Sequence, residues 1–262
     1  MTFGDRDVDV LCEIARDAGR AILALYGTDC ATATKHDASP LTQADTDADT
    51  IICERLAAVF PGVPIVSEES AAARTTAADV FFLVDPLDGT KEFLNRTDEF
   101  TVNIAVVVQG RASAGVVFAP ALGELFAVAC EGGARKYVNG TCVDLQVAPF
   151  DRSRPLRVIG SRSHAAPAMH EWLGTLDVPY TFVAAGSSLK FCRVAEGRAD
   201  VYPRFGPTSQ WDTAAAHAVL ERAGGAVADL SGAPIGYGCD RPILNPFFMA
   251  TGDACLAALI RR

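Results

Sequence analysis

The side chains most able to do chemistry lie in segment 85–90, which reads Asp-Pro-Leu-Asp-Gly-Thr and follows the apolar run 80–84. Because the run has no helical period, it predicts a buried strand that leaves the core at Asp85, where the proline turns the chain. The carboxylates of Asp85 and Asp88 and the carbonyl of Leu87 can then converge on one point. Oxygen atoms are the ligands that a hard cation such as Mg²⁺ prefers.

Phosphate binding is predicted beside this cation site. Gly89 has no side chain where a phosphate would approach, and Thr90 places a hydroxyl next to it. If a helix begins there, the free amides of Gly89, Thr90 and Lys91 point at that phosphate. The alternative is an Asp-Pro turn with a helix cap at Asp88, which is the better interpretation of the Asp-Pro-x-Asp pattern taken alone.

The longer segment 84–93, Val-Asp-Pro-Leu-Asp-Gly-Thr-Lys-Glu-Phe, is far rarer than such a turn. It resembles the signature of the inositol monophosphatase superfamily of Mg²⁺-dependent, lithium-sensitive phosphatases. Its last three residues resemble the 3′(2′),5′-bisphosphate nucleotidase branch, the CysQ type, more than the inositol branch. The resemblance implies metal binding by Asp85, Leu87 and Asp88, substrate contacts by Leu87, Asp88, Gly89 and Thr90, and a catalytic role for Thr90.

Composition limits the remaining classes of function. The chain has 262 residues, of which 50% are hydrophobic and 21% charged, so it can bury a large core as one domain or as two lobes. Its net charge of −9 argues against a surface that coats nucleic acid, although a small polyanion needs only a local basic pocket. No apolar run approaches the length of a membrane span, and the first residues lack the order of a signal peptide.

The eight cysteines are scattered along the chain and form no Cys-x-x-Cys pair. In a chain of this length the pattern is typical of reduced, mostly buried thiols in a cytosolic protein. We therefore predict a cytoplasmic protein without a zinc site.

Two amphipathic helices are predicted near the start of the chain. Apolar residues recur at three- and four-residue steps from Leu11 to Leu25, and Gly27 ends this first helix. A polar loop that contains Lys35 and Asp37 follows. The second helix ends at the Pro-Gly pair 61–62, and its predicted apolar face is Ala48, Ile52, Leu56 and Val59.

The second helix begins at a Thr-x-x-Asp pattern formed by Thr42 and Asp45. On the residues alone, a capping box is the preferred explanation of both side chains. The superfamily carries the same pattern at the start of this helix, where its aspartate helps to orient the attacking water. The resemblance therefore implies that Asp45 is catalytic.

Glu68 and Glu69 follow the apolar stretch 63–66, which predicts a short strand. Two adjacent glutamates usually mark a solvated surface. Here they end a strand as Asp85 does, and neighbouring strand ends would bring Glu68 towards Asp85 and Asp88. The superfamily uses the first glutamate of its Glu-Glu motif as a metal ligand, so the resemblance assigns Glu68 to the metal and to the substrate site.

A change in pattern near residues 149–155 suggests a division of the chain into lobes 1–150 and 151–262. Before it, alternating segments over 101–129 predict an antiparallel meander. After it, we expect a strand at 157–161, a helix at 165–176, and a last helix from Asp253 to Ile260. This is an α+β or α/β chain, and the resemblance narrows it to a layered αβαβα sandwich with the site between the lobes.

Residues 185–190, Ala-Gly-Ser-Ser-Leu-Lys, predict a turn into a helix, and an ordinary N-cap explains them equally well or better. The strand 200–205 that follows carries an arginine. In the nucleotidase branch a Ser-x-x-Lys pattern and this arginine hold the phosphate that is not cleaved. The resemblance places these roles on Ser187, Lys190 and Arg204. In the inositol branch, the position that matches Arg204 typically does not hold a basic residue.

The second specific motif, residues 211–216, reads Trp-Asp-Thr-Ala-Ala-Ala and opens a helix whose alanines allow close packing. Asp212 could simply cap this helix. The superfamily's Trp-Asp-x-Ala-Ala pattern instead places this aspartate as a ligand of a second metal, close to the substrate. His217 is interpreted as a packed histidine rather than a ligand.

Together, these residues predict metal-assisted phosphate hydrolysis with two or three Mg²⁺ ions and with water as the nucleophile, since no Cys, His or Ser lies in a nucleophile constellation. The resemblance implies hydrolysis of adenosine 3′,5′-bisphosphate to AMP and phosphate, in support of sulfate assimilation. An inositol-1-phosphate, histidinol-phosphate or fructose-1,6-bisphosphate phosphatase is the closest alternative, and a non-enzymatic metal- or phosphate-sensing module is another. The expected partner is a small bisphosphate nucleotide, with no nucleic acid or membrane span, and a homodimer is left open.

Overall fold

The computed structural model describes residues 3–28, 32–34, 40–70, 78–161, 167–253 and 256. Lys35 and Asp37 lie outside these residues, and so does most of the helix predicted from Asp253 to Ile260. Among the described residues the helices are α1 (Asp5–Leu25), α2 (Gln43–Val59), α3 (Thr90–Leu94), α4 (Pro167–Gly174), α5 (Leu189–Ala195) and α6 (Gln210–Arg222). None of them is both long and apolar enough to cross a membrane.

The strands of the described residues form three sheets. They are β1 (Thr32–Thr34), β2 (Pro40–Thr42), β3 (Ile65–Ser67), β4 (Val80–Asp88), β5 (Thr101–Val108), β6 (Arg111–Ala119), β7 (Glu124–Val128), β8 (Arg135–Val138), β9 (Thr141–Asp144), β10 (Leu156–Ser161), β11 (Tyr180–Ala185), β12 (Val201–Arg204), β13 (Ala226–Asp229) and β14 (Phe248–Thr251). A small pair joins β1 to β2, a seven-stranded sheet runs in order from β3 to β9, and a five-stranded sheet has the order β11-β10-β12-β14-β13.

The seven-stranded sheet is antiparallel except where β3 and β4 run parallel. Successive side chains of a strand point to opposite faces of the sheet. The sheet therefore contributes side chains to a hydrophobic core on each of its two faces. Phe82 and Val84 of β4 pack in one core with the buried faces of α1 and α2, whereas Phe81 and Leu83 pack in the core on the other side.

That second core also contains the buried residues of α5 and α6 and one face of the five-stranded sheet. The other face of the five-stranded sheet packs against Met169, Trp172 and Leu173 of α4. The layers therefore follow the order α1 and α2, seven-stranded sheet, α5 and α6, five-stranded sheet, α4. This is the predicted αβαβα sandwich.

Close packing of α6 on the seven-stranded sheet depends on small residues, as the run of alanines predicts. A Cβ atom on Gly115 of β6 would lie 3.0 Å from the Cα atom of Ala215. The helix that carries Asp212 is thus held directly against β6, two strands away from β4 in the same sheet.

Most predicted helices and strands are confirmed. The differences concern the last residue of α2 and several strands that the sequence did not predict. Val59, placed on the buried face of α2, is 45% exposed, because it is the last residue of the helix and lies beyond the part of α2 that packs in the core. Strands β1, β2, β8, β9 and β11 were not predicted, and β1 lies within the stretch interpreted as a polar loop. β9 is exposed throughout and β11 over its first four residues, so neither shows the apolar alternation by which a half-buried strand is recognised.

Candidate active site

The first pair of acidic residues lies at an irregularity in β4. Asp85 faces Asn103 across the ladder, Asp88 faces Thr101, and the register shifts between the two pairs. The prediction that the strand leaves the core at Asp85 is therefore wrong, because a bulge absorbs Pro86 and lets pairing resume at Asp88. Asp85 is 1% exposed, and its Oδ1 accepts a hydrogen bond from the Leu87 amide at 3.1 Å.

Glu68 arrives beside these aspartates from the parallel strand β3. Ser67 is in register with Val84, and the amide of Glu68 donates to the Val84 carbonyl at 3.1 Å. Glu68 thus follows the end of β3 at the level where Asp85 follows Val84 within β4. The expected approach of Glu68 to Asp85 and Asp88 is confirmed, since the three residues line one cavity, but only β3 ends at this level.

Asp45 uses its two oxygens for two different contacts. The backbone amide and the hydroxyl of Thr42 donate to Oδ2 at 2.7 and 2.6 Å, which is the capping box expected at the start of α2. The hydroxyl of Thr90 donates to Oδ1 at 3.2 Å and lies 3.4 Å from the Leu87 carbonyl. Helix capping and a link to segment 85–90 are therefore both properties of Asp45.

Asp212 reaches the same region from α6. Ser209, not Asp212, is the N-cap of this helix, and the Ser209 amide donates to Oδ2 of Asp212 at 2.8 Å. Asp212 is thus the third helical residue of a capping box. Asn245 supports the cap from outside the helix, since its side-chain amide donates to the Ser209 carbonyl at 2.7 Å.

The acidic residues surround one cavity of about 250 Å³, which we call the carboxylate cavity. Its rim includes the apolar side chains of Trp211 and Leu244. Its polar lining contains the metal ligands expected from the sequence, namely Glu68, Asp85, Leu87, Asp88 and Asp212, together with Gly89 and Thr90.

A second cavity of about 410 Å³ adjoins the first, and we call it the basic cavity. It is lined by the three residues expected to hold an uncleaved phosphate, Ser187, Lys190 and Arg204. Asp88, Gly89, Thr90, Pro207, Thr208 and Asp212 line both cavities and form their common wall.

Three cations line the basic cavity, Lys91, Lys190 and Arg204. The last two are held by carbonyl oxygens. Lys190 is 5% exposed, and its Nζ donates to the Ser187 carbonyl and lies 5.4 Å from the ring centre of Tyr202. The guanidinium of Arg204 donates from Nε to the Gly206 carbonyl at 3.2 Å and from Nη2 to the Pro207 carbonyl at 2.6 Å. These carbonyls orient both groups without neutralising them.

Ionisable groups in and beside the common wall shift one another's pKa values. Burial raises the pKa of Asp88, and the charge of Lys190 and hydrogen bonds from Ser188 act against that rise. Burial, followed by the charge of Asp88, raises the pKa of Asp212 to about 7. Burial lowers the pKa of Lys190 to about 8, while the charge of Asp88 opposes the change. The wall therefore carries negative charge that the protein itself compensates only in part.

Ser188 is a site residue that the sequence analysis missed in favour of its neighbour Ser187. Its amide donates to Oδ2 of Asp88 at 2.6 Å, and its hydroxyl lies 2.6 Å from the carbonyl oxygen of Asp212. The Gly-Ser-Ser motif contained this residue, but no local pattern links it to an aspartate 100 residues earlier in the chain.

Comparison with known proteins matches this architecture to one family over almost the whole chain. The model of the inositol monophosphatase family matches residues 5–261. The chain belongs to the inositol monophosphatase family. Two curated relatives carry the name 3′(2′),5′-bisphosphate nucleotidase CysQ: that of Salmonella typhimurium is 45% identical over 93% of this chain and 99% of its own, and that of Buchnera aphidicola 38% identical over 88% and 87%.

Solved structures of the family share the fold. The CysQ structure from Bacteroides thetaiotaomicron has a TM-score of 0.80 and 34% identity, and the match covers 95% of this chain and 98% of that one. An inositol monophosphatase from Thermotoga maritima superposes with a TM-score of 0.81 at 24% identity, over 98% and 96% of the two chains. The second similarity supports the fold alone.

Members of the inositol monophosphatase family are generally Mg²⁺-dependent, and the donor set of the carboxylate cavity fits such an ion. Every group named above as an expected ligand offers oxygen, the donor atom that Mg²⁺ prefers. The raised pKa of Asp212 reflects the unfavourable negative charge that a bound cation would offset. Among the described residues, no three acidic, cysteine or histidine side chains are already gathered as a ligand cluster.

Proposed function

We propose that this chain is a Mg²⁺-dependent 3′(2′),5′-bisphosphate nucleotidase that hydrolyses adenosine 3′,5′-bisphosphate to AMP and phosphate. The observation that carries the proposal is the pair of adjoining cavities with a common wall: the cations Lys91, Lys190 and Arg204 line the second, which also contains carboxylates, whereas the first has no lysine or arginine in its lining. A substrate with two phosphates can place the cleaved one in the first cavity and the retained one in the second. Relatives of this name at 45% identity support the assignment.

In the carboxylate cavity, Glu68, Asp85, Asp88, Asp212 and the Leu87 carbonyl would hold two or three Mg²⁺ ions. Bound Mg²⁺ would supply Lewis-acid stabilisation of the charge on the reacting phosphate. Backbone amides fix the orientation of two of these carboxylates. Leu87 donates its amide to Asp85, and Ser209 donates its amide to Asp212.

Thr90 and Asp45 would orient the attacking water. The Thr90 hydroxyl directs its proton to Oδ1 of Asp45 at 3.2 Å, so its lone pairs can accept a hydrogen bond from a water in the carboxylate cavity. Asp45 is itself held by both donors of Thr42. The pair therefore positions the nucleophile without forming a covalent bond to the substrate.

In the basic cavity, Ser187, Lys190 and Arg204 would bind the retained phosphate. A pKa of about 8 leaves Lys190 mostly protonated at neutral pH, and an incoming anion would favour the charged form further. The hydroxyl oxygen of Ser187 is buried and has no hydrogen-bond partner among the described residues. A phosphate oxygen would provide that partner.

The remaining parts of the proposal extend beyond the site. We place the enzyme in sulfate assimilation and in the cytoplasm, and the six cysteines of the described residues, all free thiols, are typical of that compartment. Inhibition by Li⁺ is expected, and a homodimer stays a prediction. A division into lobes 1–150 and 151–262 is supported by the two large sheets, whose strands occupy 65–144 and 156–251.

A phosphate-release assay in Mg²⁺ tests the proposal. It compares adenosine 3′,5′-bisphosphate, inositol-1-phosphate, fructose-1,6-bisphosphate and histidinol phosphate at equal enzyme concentration. We expect the highest kcat/KM for adenosine 3′,5′-bisphosphate, since it alone among the four combines two phosphates with an adenosine. A higher kcat/KM for any of the other three would replace the nucleotidase assignment with that phosphatase activity, and no release from any of them would favour a sensing module.

A further inference from the structure

Ser188 lies where three elements of the site meet. It is 2% exposed, and its amide and hydroxyl both contact Oδ2 of Asp88, at 2.6 and 2.9 Å. The same hydroxyl is 2.6 Å from the carbonyl oxygen of Asp212 and accepts a hydrogen bond from the side-chain amide of Asn103 at 2.9 Å. One small side chain therefore joins β4, β5 and α6.

These contacts use only one of the two oxygens of Asp88. Thr101 and Asn103 also approach Oδ2, each at 3.4 Å, so the described donors to this carboxylate all lie on one side. Oδ1 is then the oxygen through which Asp88 would hold a cation. Because a carboxylate can rotate when its donors are removed, the hydroxyl of Ser188 restricts the orientation in which Asp88 meets that cation.

The turn that carries Ser188 is also part of the basic cavity. Ser187, the preceding residue, has a φ of 43°, a left-handed backbone conformation that residues other than glycine rarely adopt. Lys190 donates to the Ser187 carbonyl, and the Gly186 amide donates to Glu99 at 2.9 Å. A Cβ on Gly186 would lie 2.5 Å from the Glu99 carbonyl oxygen, so the turn is pressed against the segment that leads into β5.

We propose that Ser188 is a positioning residue that orients Asp88 for cation binding and couples this carboxylate to the phosphate held in the basic cavity. An anion that contacts Ser187 and Lys190 fixes the turn, and the next residue of that turn fixes Asp88. The coupling rests on the proposed function, whereas the orientation of Asp88 does not. Groups that orient a metal ligand in this way are worth about 10- to 100-fold in metal affinity.

Calorimetric titration of the full chain with Mg²⁺, in the absence of nucleotide, tests the orientation of Asp88. Ser188→Ala removes the hydroxyl but keeps the backbone amide, and we expect Mg²⁺ to bind about 10- to 100-fold more weakly. Tyr237→Phe is the matched control. It removes a fully buried hydroxyl that contacts Thr213 and His217 rather than a carboxylate of the site.

Tyr237→Phe should lower the melting temperature and leave the Mg²⁺ affinity unchanged. Wild-type Mg²⁺ affinity in Ser188→Ala, or an equal loss in both variants, would overturn the positioning role. If Ser188→Ala does not give folded protein, Ser188→Cys provides the same comparison, because a thiol has a similar shape but donates only weakly.

The same titration in saturating AMP tests the coupling. AMP carries the phosphate that the proposed reaction retains, so it should tighten Mg²⁺ binding to the wild type by about fivefold or more, the usual size of such coupling. Ser188→Ala should lose most of this effect, and Tyr237→Phe should keep it. Equal tightening in wild type and Ser188→Ala would contradict the coupling. Absence of AMP binding to the wild type would contradict both the coupling and the nucleotidase assignment, but not the orientation of Asp88.

Discussion

The carboxylate cavity and the basic cavity share a wall but hold their charges by opposite means. In the carboxylate cavity, backbone amides and hydroxyls donate to aspartates at a strand bulge and at a helix cap. In the basic cavity, carbonyl oxygens accept from Lys190 and Arg204. Both arrangements orient charged groups through uncharged donors or acceptors, and Lys190 and Asp88 offset each other in part across the common wall. Under the proposed function, a cation would complete the first cavity and an anion the second.

The largest effect is expected from removing one charge in the common wall. Asp88→Asn keeps the size of the side chain but weakens a ligand of the cation, so turnover should fall by at least about a hundredfold. Melting temperature without Mg²⁺ should change little. Asp47→Asn is the matched control, since Asp47 lies on α2, bonds to Gln43, and lines neither cavity. Near-wild-type activity of Asp88→Asn in Mg²⁺ would refute the assignment of the carboxylate cavity.

Removal of Mg²⁺ should destabilise the folded chain. A ligand present at about 100 times its Kd adds about 2.7 kcal/mol to the free energy of unfolding. In a chain of this size that corresponds to roughly 5–10 °C in Tm. Differential scanning calorimetry before and after chelation measures the difference, and Asp88→Asn should show much less of it. Identical melting with and without Mg²⁺ would mean that the carboxylate cavity does not bind the ion in the folded state.

Proton competition at Asp212 gives a third expected effect. Its pKa is raised from 3.8 to about 7, so between these values the folded chain binds a proton that the unfolded chain has lost. Without Mg²⁺, this group therefore makes the fold less stable as pH rises from about 4 to about 7. A cation needs the ionised carboxylate, so Mg²⁺ affinity should fall by up to about tenfold per pH unit below 7. Titrations at pH 6 and pH 8 on wild type and Asp212→Asn check this, because the variant should lose this component of the pH dependence.

A smaller effect is expected at Thr90. Thr90→Val preserves the shape of the side chain but removes the hydroxyl that connects Asp45 to the carboxylate cavity. Loss of one hydrogen bond of about 0.5–1.5 kcal/mol corresponds to a reduction in kcat of roughly two- to tenfold. KM should change less, because orientation of the nucleophile is needed for the reaction rather than for binding. A change confined to KM would mean that Thr90 and Asp45 do not act in the catalytic step.

Local patterns were enough to predict the residues that hold their charges through nearby donors. Asp85 and Asp88 lie in the last part of β4, Glu68 follows its parallel neighbour β3, and Asp45 lies in a capping box. In each case the position of the side chain depends on a strand or a helix start that the sequence displays, although the sequence places the end of β4 too early.

Contacts between distant segments could not be predicted in this way. Ser188 meets Asp88 only because the five layers bring α5 and β4 together, and neither segment shows a pattern that depends on the other. Asn245 likewise supports the cap of α6 from a loop 36 residues further along the chain. The bulge between Asp85 and Asp88 was also missed, since a proline after a strand equally well predicts that the strand ends there.

The assignment of one phosphate to each cavity is the central claim, and Arg204 offers its most direct test. Arg204 lines the basic cavity but not the carboxylate cavity, and it is held by the Gly206 and Pro207 carbonyls. Its charge is the last of the influences on the pKa of Asp212, whereas the charge of Lys190 is the largest that opposes the raised pKa of Asp88. Loss of a charge-assisted contact costs roughly 1.5–3 kcal/mol, or about ten- to a hundredfold in affinity.

The measurement is kcat/KM of wild type and Arg204→Ala, on adenosine 3′,5′-bisphosphate and on adenosine 3′-monophosphate, which lacks the retained phosphate. We expect KM for the bisphosphate to rise by about ten- to a hundredfold in the variant, while the weak hydrolysis of the monophosphate stays nearly unchanged. An equal loss of kcat/KM on both substrates would contradict the account, because Arg204 would then support the structure of the site rather than bind the second phosphate.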